Sequence, residues 1–304
     1  MVLQLPCVPI LSIARCLAPL PDLARPCPFL FLVPFLDLFP FPSPFPPSTR
    51  AILIVDGVTT RYRERSKHLP EIARVITAAA RMVRGNYAVY LPSYTYLRQL
   101  EAHIHDRDLE IYRDSRGMND SLRQGILSRM SQPLADAGSY RAPRARLLLA
   151  VQGGSFAEAV EWPAGILQGV FVVGPGLPRV GFEQEQLKGY YQRRYGSGFA
   201  YAYLYPGMAR VIQSAGRLIR RDTDRGVVLV IGSRFAEPTY SRALPRHWYE
   251  GDVSELLPID PLESLGAFWR GQGEEPELPP ERESEAEERV EHDPWGAFGD
   301  EPIY

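Results

Sequence analysis

Lysine and cysteine are scarce in this 304-residue chain, and each scarcity excludes a class of protein. A loop that binds the phosphates of ATP needs Gly-Lys followed by Ser or Thr, but Lys67 and Lys188, the two lysines of the sequence, have no such neighbours. The three cysteines, Cys7, Cys16 and Cys27, form no close Cys-x-x-Cys pair. They therefore support neither a disulfide framework nor a zinc site, and a reducing cytoplasm is the expected location.

Long uninterrupted apolar runs are also missing. Residues 1–41 form a Pro-rich leader in which proline recurs inside apolar stretches, so that no run reaches the roughly 20 residues of a membrane span. The leader has no basic start followed by an unbroken apolar core and a small-residue cleavage site. We therefore expect neither a membrane anchor nor a signal peptide. The leader is either a disordered extension or a misassigned start of the reading frame.

Charge divides the remainder of the chain into two parts. Residues 42–250 hold 29 Lys and Arg against 18 Asp and Glu, a net charge of +11, whereas residues 251–304 hold 3 against 16, a net charge of −13. A basic domain attracts a polyanion such as nucleic acid, although a basic surface without any ligand explains the charge equally well. Residues 251–304 are predicted to be an acidic, largely disordered tail.

The hydrophobic pattern of residues 42–250 alternates between strands and helices. Short β-branched runs predict buried strands at residues 51–55, 87–91, 147–151, 170–173 and 227–231. Helical periodicity predicts helices over residues 66–83, 93–103 and 122–130. Strands separated by helices pair in parallel through right-handed crossovers, which predicts an α/β fold with a doubly wound, mainly parallel sheet. Ligands of such sheets bind at the carboxyl ends of the strands.

The sharpest chemical feature is Gln213-Ser-Ala-Gly216-Arg217-Leu-Ile-Arg220, near the end of a helix predicted to start near Phe199. The spacing i, i+4 and i+7 predicts that Gln213, Arg217 and Arg220 share one helix face. A second face is predicted to be buried by Met208, Ile212, Ala215 and Ile219. Guanidinium groups bind phosphate oxygens through planar, permanently charged forks. An arginine cluster on a helix is also often a solvated or ion-paired face.

This segment resembles the sixth conserved motif of superfamily 2 helicases. Residues 222–235, which read Asp-Thr-Asp-Arg-Gly-Val-Val-Leu-Val-Ile-Gly-Ser-Arg-Phe, are similar to the continuation of that motif in the XPD/DinG family. Residues 153–161 resemble the fifth motif of the family, and residues 90–97 resemble the fourth. Residues 43–45 and 61–63 resemble the segment that opens the second lobe. The resemblance covers residues 43–250 and implies a RecA-like second helicase lobe.

The resemblance implies a nucleotide site and the residues that form it. Gln213, Gly216 and Glu161 would contact ATP, Arg220 would be the preferred catalytic finger, and Arg217 would be the second candidate. This chain departs from the family at two positions here: the family has Asp where this chain has Glu161, and Gly where it has Ala159.

A nucleic-acid site is implied as well. Ser93 and Tyr94 would face single-stranded DNA, where helix-terminal N–H groups and a hydroxyl suit a phosphate and an aromatic ring stacks on a base. Periodicity alone favours a packed role for Tyr94. Gly154 would allow close approach of the backbone to a phosphate, and Ser155 and Glu158 would couple DNA contact to the nucleotide site.

The resemblance implies the second motor lobe of an ATP-dependent DNA helicase, a family associated with DNA repair. The first lobe would hold most of the ATP and its Mg²⁺, together with any iron–sulfur cluster, and the motifs of that lobe are absent from this sequence. We therefore expect negligible ATPase from this chain alone, no cluster in it, and a separate first lobe as a candidate partner.

Two other readings differ in class. The first is a non-catalytic nucleic-acid-binding or interaction module derived from a helicase lobe. A dinucleotide-binding enzyme is disfavoured, because no Gly-x-Gly-x-x-Gly follows a predicted strand. A metal site at His103 and His105 is also disfavoured, since no third ligand is near them in the sequence.

Overall fold

The structure, a computed structural model, describes residues 46–134, 144–158, 160, 162–221 and 223–271. Its centre is one six-stranded sheet in the order β1-β6-β5-β2-β4-β3, with every neighbouring pair parallel. The strands are β1 (Arg50–Val55), β2 (Gly85–Leu91), β3 (Leu109–Arg113), β4 (Ala145–Val151), β5 (Leu167–Val173) and β6 (Gly226–Ile231). The predicted doubly wound parallel sheet is confirmed.

Helices cover both faces of the sheet. They are α1 (Leu69–Met82), α2 (Tyr94–Glu101), α3 (Asp120–Ser131), α4 (Ser155–Glu158), α5 (Phe182–Tyr195), α6 (Tyr205–Ala215), α7 (Pro238–Ser241) and α8 (Pro261–Gly271). A π-helical segment, Ala200–Leu204, runs directly into α6. Short 3-10 turns complete the described fold at Pro47–Thr49, Ser233–Ala236, Arg246–Trp248 and Val253–Leu256.

Two hydrophobic cores lie on the two faces of the sheet. Successive side chains of a strand point to opposite faces, so in β2 Val89 and Leu91 enter the first core, with α1 and α2, while Tyr90 enters the second, with α4 and α6. Every residue of β4 and β6 is buried. A parallel sheet covered on both faces explains why these strands appear in the sequence as continuous apolar runs.

Helix α1 forms largely as its periodicity predicts. It begins at Leu69, with Pro70 in its first turn, where the missing proline N–H costs no hydrogen bond. The predicted face is buried and consists of Leu69, Ile72, Ala73, Ile76, Ala79 and Ala80. The helix therefore fills the first core with small and branched side chains.

Strand β3 and helix α5 were not predicted. β3 lies at the edge of the sheet, reads Leu-Glu-Ile-Tyr-Arg, and buries only its first residue, so its sequence is too polar to be recognised as a core strand. Helix α5 has no buried residue, so it lacks the apolar period that sequence analysis detects. Both were hidden because they bury little apolar surface.

The predicted boundary at residue 250 is too early for the folded part of the chain. Helix α8 packs on β1 and α1, and it buries Leu262, Leu265 and Trp269 in the first core. The packed part of the chain therefore reaches at least residue 271. The predicted leader, residues 1–41, and residues 272–304 of the predicted tail lie outside the described residues, so the structure tests neither prediction.

Candidate functional site

Four of the five predicted nucleic-acid residues lie at one edge of the sheet. We call this the carboxyl edge and define it by Ser93, Tyr94, Asp114, Gly154 and Ser155, which follow the carboxyl ends of β2, β3 and β4. These three strands are neighbours in the sheet. The Tyr94 hydroxyl donates to Asp114 Oδ2 over 3.4 Å, and a Cβ atom added to Gly154 would lie 3.2 Å from the same oxygen. The fold thus brings Tyr94 and Gly154 to the same carboxylate oxygen.

Ser93 begins helix α2. Its Oγ accepts a hydrogen bond from the Tyr96 backbone N–H over 3.2 Å, which satisfies one of the N–H groups that every helix leaves without a partner at its start. Tyr94, the next residue, is half-buried and packs against the first core. The oxygen of Ser93 is therefore used within its own helix, while part of the Tyr94 ring faces outwards.

Asp114 was missed by the sequence analysis. Its side chain is almost fully buried, and its Oδ1 atom has no hydrogen-bond partner among the described residues. Burial raises the pKa of the Asp114 carboxyl, and backbone N–H groups of Val151 and Ser115 partly oppose this. A charged residue directly after a strand was the available signal, but β3 itself had not been recognised.

We expect Asp114→Asn to stabilise the protein at pH 7 more than at pH 4. The folded-state pKa of Asp114 lies above its unfolded value, so the folded protein binds more protons and its stability falls as pH rises through that range. Asparagine is similar in size and carries no charge to desolvate. Thermal unfolding at both pH values checks the prediction, with an expected gain of about 2–5 °C at pH 7. An equal shift at both values would contradict it.

The turn between β4 and α4 requires glycine. Gly153 has a φ of +70°, a backbone conformation that residues with a side chain rarely adopt. A Cβ atom added there would lie 3.1 Å from Arg210 Nε. At Gly154 the added atom would lie 2.9 Å from the Val151 carbonyl oxygen. The turn is therefore tightly packed, and side chains at these two positions would displace it.

Gln152 was also missed. This buried side chain donates through Nε2 to the carbonyl oxygens of Tyr90 at 3.3 Å, Val173 at 3.2 Å and Gly174 at 2.9 Å. It thereby fixes the carboxyl ends of β2 and β5 to the turn that follows β4. A polar residue between a buried strand and a Gly-Gly pair was the signal in the sequence.

The predicted arrangement of Gln213, Arg217 and Arg220 on one helix is wrong. Helix α6 ends at Ala215, and Gly216 is its C-cap residue. Arg217 and Arg220 therefore lie in the segment between α6 and β6, where i, i+4, i+7 spacing has no meaning. The chain leaves α6 through a tighter turn, in which the Arg217 N–H donates to the Ser214 carbonyl oxygen and the Leu218 N–H donates to the Ala215 carbonyl oxygen, each over 3.2 Å.

Arg217 contacts the end of α4. Its Nη1 donates to the Val160 carbonyl oxygen over 2.8 Å, and its Nη2 donates to the carbonyl oxygens of Glu158, at 3.4 Å, and Ala157. The Glu158 side chain itself is exposed. The structure thus joins two predicted residues, Arg217 and Glu158, through the backbone of the second.

Asp224 positions Arg220. The buried Asp224 carboxylate accepts hydrogen bonds from the backbone N–H groups of Arg220 and Arg221, both 2.9 Å long. Burial raises the pKa of the Tyr90 hydroxyl to about 12, and the positive charges of Arg217 and Arg220 act against that rise.

The other predicted nucleotide residues are less defined. Gln213 and Gly216 are exposed. Glu161 lies outside the described residues. The predicted residues therefore separate into the carboxyl edge and an arginine segment, Arg217–Arg220, with helix α4 between them.

Neither metal nor membrane sites are evident in the described part of the chain. It holds no group of three or more His, Cys, Asp and Glu side chains suited to a metal ion. His103 and His105 are exposed on either side of the buried Ile104. Among the described helices, none combines the length and the apolar content that crossing a membrane demands.

Comparison with known proteins places this geometry in a family. The family model described as Helicase C-terminal domain matches residues 76–251, which is more than half of the chain and includes the carboxyl edge and the arginine segment. The chain belongs to this helicase C-terminal domain family. It is a C-terminal helicase lobe of the XPD/DinG type, as the sequence predicted.

Curated relatives of this helicase lobe are longer proteins. ATP-dependent DNA helicase DDX11 of Mus musculus is 25% identical over 202 residues, which cover 62% of this chain and 22% of DDX11. A probable ATP-dependent helicase of Methanocaldococcus jannaschii is 28% identical over 240 residues, which cover 72% of this chain and 34% of the relative. The chain thus spans about a quarter to a third of these relatives.

A solved structure described as an XPD helicase has the same fold. It superposes with a TM-score of 0.50 at 21% sequence identity and covers 64% of this chain and 33% of the other. At this identity the likeness establishes the RecA-like architecture of the lobe and nothing about its ligands.

Proposed function

We propose that this chain is the second motor lobe of an ATP-dependent DNA helicase, which binds single-stranded DNA and takes part in ATP hydrolysis only with a first lobe. The observation that supports this most is the continuous path from the carboxyl edge through α4 to Arg217. A motor lobe needs such a path, because DNA contact and nucleotide contact must influence each other.

Single-stranded DNA would bind along the carboxyl edge. The half-exposed Tyr94 ring offers a surface on which a base stacks, and its hydroxyl is held by Asp114. The backbone N–H groups at the start of α2 and the Ser155 hydroxyl suit phosphate oxygens. The excess of Arg and Lys in residues 42–250 adds attraction that does not depend on sequence.

The nucleotide would bind beside the arginine segment. In our proposal Arg220 contacts the transferred phosphoryl group and stabilises the negative charge that spreads over its oxygens in the transition state. Gln213 and Gly216 lie at the end of α6, next to this segment, and are exposed for contact with ATP or with the first lobe.

The described residues beside the nucleotide suit phosphates and do not suit Mg²⁺. Arg217, Arg220 and Gln213 carry cationic or amide side chains, whereas Mg²⁺ takes oxygen ligands, mainly carboxylates, waters and substrate phosphates. The Asp224 carboxylate beside Arg220 already accepts two backbone hydrogen bonds. Together with the absent phosphate-binding loop, this supports assigning Mg²⁺ and most ATP contacts to the first lobe.

Binding of labelled single-stranded DNA to the full chain tests the proposal. We expect Tyr94→Ala to weaken binding about 10-fold, since stacking of a base on an aromatic ring contributes about 1–3 kcal/mol. Tyr94→Phe keeps the ring and should lose much less. Tyr249→Ala is the matched control, because Tyr249 is also half-buried and packs beside Arg246, close to the amino end of β1.

The salt dependence of binding completes this test. Binding should weaken as salt increases, because phosphate contacts release counterions. If Tyr94→Ala and Tyr249→Ala bind DNA as well as the unmodified chain, the carboxyl edge is not the DNA site. If the full chain binds no DNA at any salt concentration, the proposed DNA-binding role of the lobe itself is wrong.

A non-catalytic role is the second candidate. It is favoured by the absence of a Gly-Lys-Ser/Thr sequence and by the engagement of Arg217 with backbone carbonyl groups. In that role the lobe would bind nucleic acid without any hydrolysis. ATPase measured after addition of a first helicase lobe separates the two candidates, because only a motor lobe should raise the rate.

A further inference from the structure

Helix α4 is a single turn, and its carbonyl groups need partners from elsewhere. A helix leaves its last four carbonyl groups without intrahelical partners, and α4 consists of only Ser155–Glu158. Tyr90 and Trp162 supply two donors: the Tyr90 hydroxyl bonds to the Phe156 carbonyl oxygen over 3.2 Å, and Trp162 Nε1 bonds to the same oxygen over 3.4 Å. Arg217 binds two more carbonyl groups of the turn, those of Ala157 and Glu158.

Arg217 is well suited to hold this turn. One planar guanidinium donates to three carbonyl oxygens, those of Ala157, Glu158 and Val160. Hydrogen bonds from a charged donor are roughly twice as strong as neutral ones. A cation at the carboxyl end of a helix is also favoured by the helix dipole. The residue is half-buried, so water competes less for these bonds than at an exposed site.

The opposite end of α4 lies on the carboxyl edge. The Gly154 carbonyl oxygen accepts from the backbone N–H groups of Ala157 and Glu158, both over 3.0 Å, and the Gly154 N–H donates to Val151 over 2.9 Å. The two residues whose N–H groups bond to Gly154 also give their carbonyl oxygens to Arg217. Only one peptide turn therefore separates the Arg217 guanidinium from the Gly154–Ser155 backbone.

We propose that Arg217 is a positioning residue for the DNA site: it fixes α4 and thereby the Gly154–Ser155 turn on the carboxyl edge. This inference rests on the proposed function, since it takes single-stranded DNA as the ligand of that edge. It reassigns Arg217, which the sequence pattern had made the second candidate for the catalytic finger. Arg220 remains the residue that contacts the transferred phosphoryl group.

Binding of single-stranded DNA in the absence of any nucleotide tests this assignment. A residue that acts only on ATP cannot alter such binding, whereas a residue that fixes the DNA-binding turn must. With the full chain, we expect Arg217→Ala to weaken binding about tenfold, which corresponds to about 1.4 kcal/mol. Arg217→Lys retains the positive charge but not the fork, so its loss should be intermediate.

Arg221→Ala is the matched control for the loss of one positive charge. Arg221 is exposed and lies close to Arg217 in sequence, and alanine at this position keeps the backbone N–H that bonds to Asp224. We expect its DNA affinity to stay within about twofold of the unmodified chain, because one exposed charge contributes little. An equal loss for Arg217→Ala and Arg221→Ala would show a general charge effect and overturn the assignment.

A double-mutant cycle with Ser155→Ala provides the second test. If Arg217 acts through the turn, its effect on DNA binding and that of Ser155 are coupled, and the double variant should bind much better than the sum of the two losses predicts. Circular dichroism and thermal unfolding of each variant report whether the lobe remains folded. If Arg217→Ala unfolds the lobe, the same cycle is run with Arg217→Lys.

The outcomes separate this inference from the proposed function. If Tyr94→Ala and Ser155→Ala weaken binding and Arg217→Ala does not, the carboxyl edge binds DNA and Arg217 is not its positioning residue. Strictly additive losses for Arg217 and Ser155 overturn the assignment as well. If neither Tyr94→Ala nor Ser155→Ala changes binding, the proposed DNA site itself has failed.

Discussion

Replacement of Trp269 by alanine is expected to lower the free energy of unfolding by about 3–5 kcal/mol. Trp269 is fully buried in the first core, where α8 packs on β1 and α1. Alanine would remove most of this side chain and leave a cavity that the surrounding strands cannot fill. The loss is large compared with the total stability of a typical domain, about 5–15 kcal/mol.

Urea unfolding of the full chain, followed by far-ultraviolet circular dichroism, measures this loss. Ile259→Ala is the control, because Ile259 precedes α8 and is fully exposed, so its truncation should leave stability within about 0.5 kcal/mol of the unmodified protein. Trp269→Phe should be milder than Trp269→Ala, since it keeps an aromatic ring and removes an indole N–H that has no partner among the described residues. Equal stabilities of Trp269→Ala and the unmodified chain would contradict the packing of α8.

This test also concerns the limit of the folded domain. Net charge placed the boundary at residue 250, because acidic residues dominate from there to the end of the chain. Charge summed over a long stretch conceals one amphipathic helix inside it, and Leu262, Leu265 and Trp269 follow helical spacing. A window as short as one helix would have detected the pattern.

The sequence predicted the sheet better than it predicted the site. Strands β2, β4, β5 and β6 lie inside the sheet and appear in the sequence as apolar runs, as does the apolar edge strand β1. The other edge strand, β3, is the exception because it is polar, and the failure to recognise it also concealed Asp114, the carboxylate that contacts Tyr94. A local sequence pattern cannot predict the contacts of a residue whose neighbours come from strands that are distant in the sequence.

The arginine motif shows the same limit in another form. Residue spacing described Gln213, Arg217 and Arg220 as one helix face, but the helix ends at Ala215. The partners of Arg217 belong to α4 and the residues after it, and Glu158 is 59 residues away from Arg217 in the sequence. A motif therefore identified the residues that matter without giving their partners.

The largest effect on activity is expected for Arg220→Ala. When the chain is combined with a first helicase lobe from a relative, ATP hydrolysis should rise above that of the first lobe alone, and the variant should lose about 10³-fold or more of this rate. The loss should be that large because a finger arginine stabilises negative charge that develops mainly in the transition state. Binding of DNA without nucleotide should change little, since alanine keeps the backbone N–H that bonds to Asp224.

Steady-state phosphate release, with and without single-stranded DNA, measures the rate. Arg221→Ala is the control, because it removes a neighbouring exposed charge and leaves the backbone bond to Asp224 in place. A variant that loses kcat at unchanged ATP affinity fits a finger arginine, because the interaction then exists only in the transition state. If Arg220→Ala hydrolyses ATP as fast as Arg221→Ala while Arg217→Ala does not, the two arginines have exchanged roles, and the bonds from Arg217 to α4 must break before the reaction.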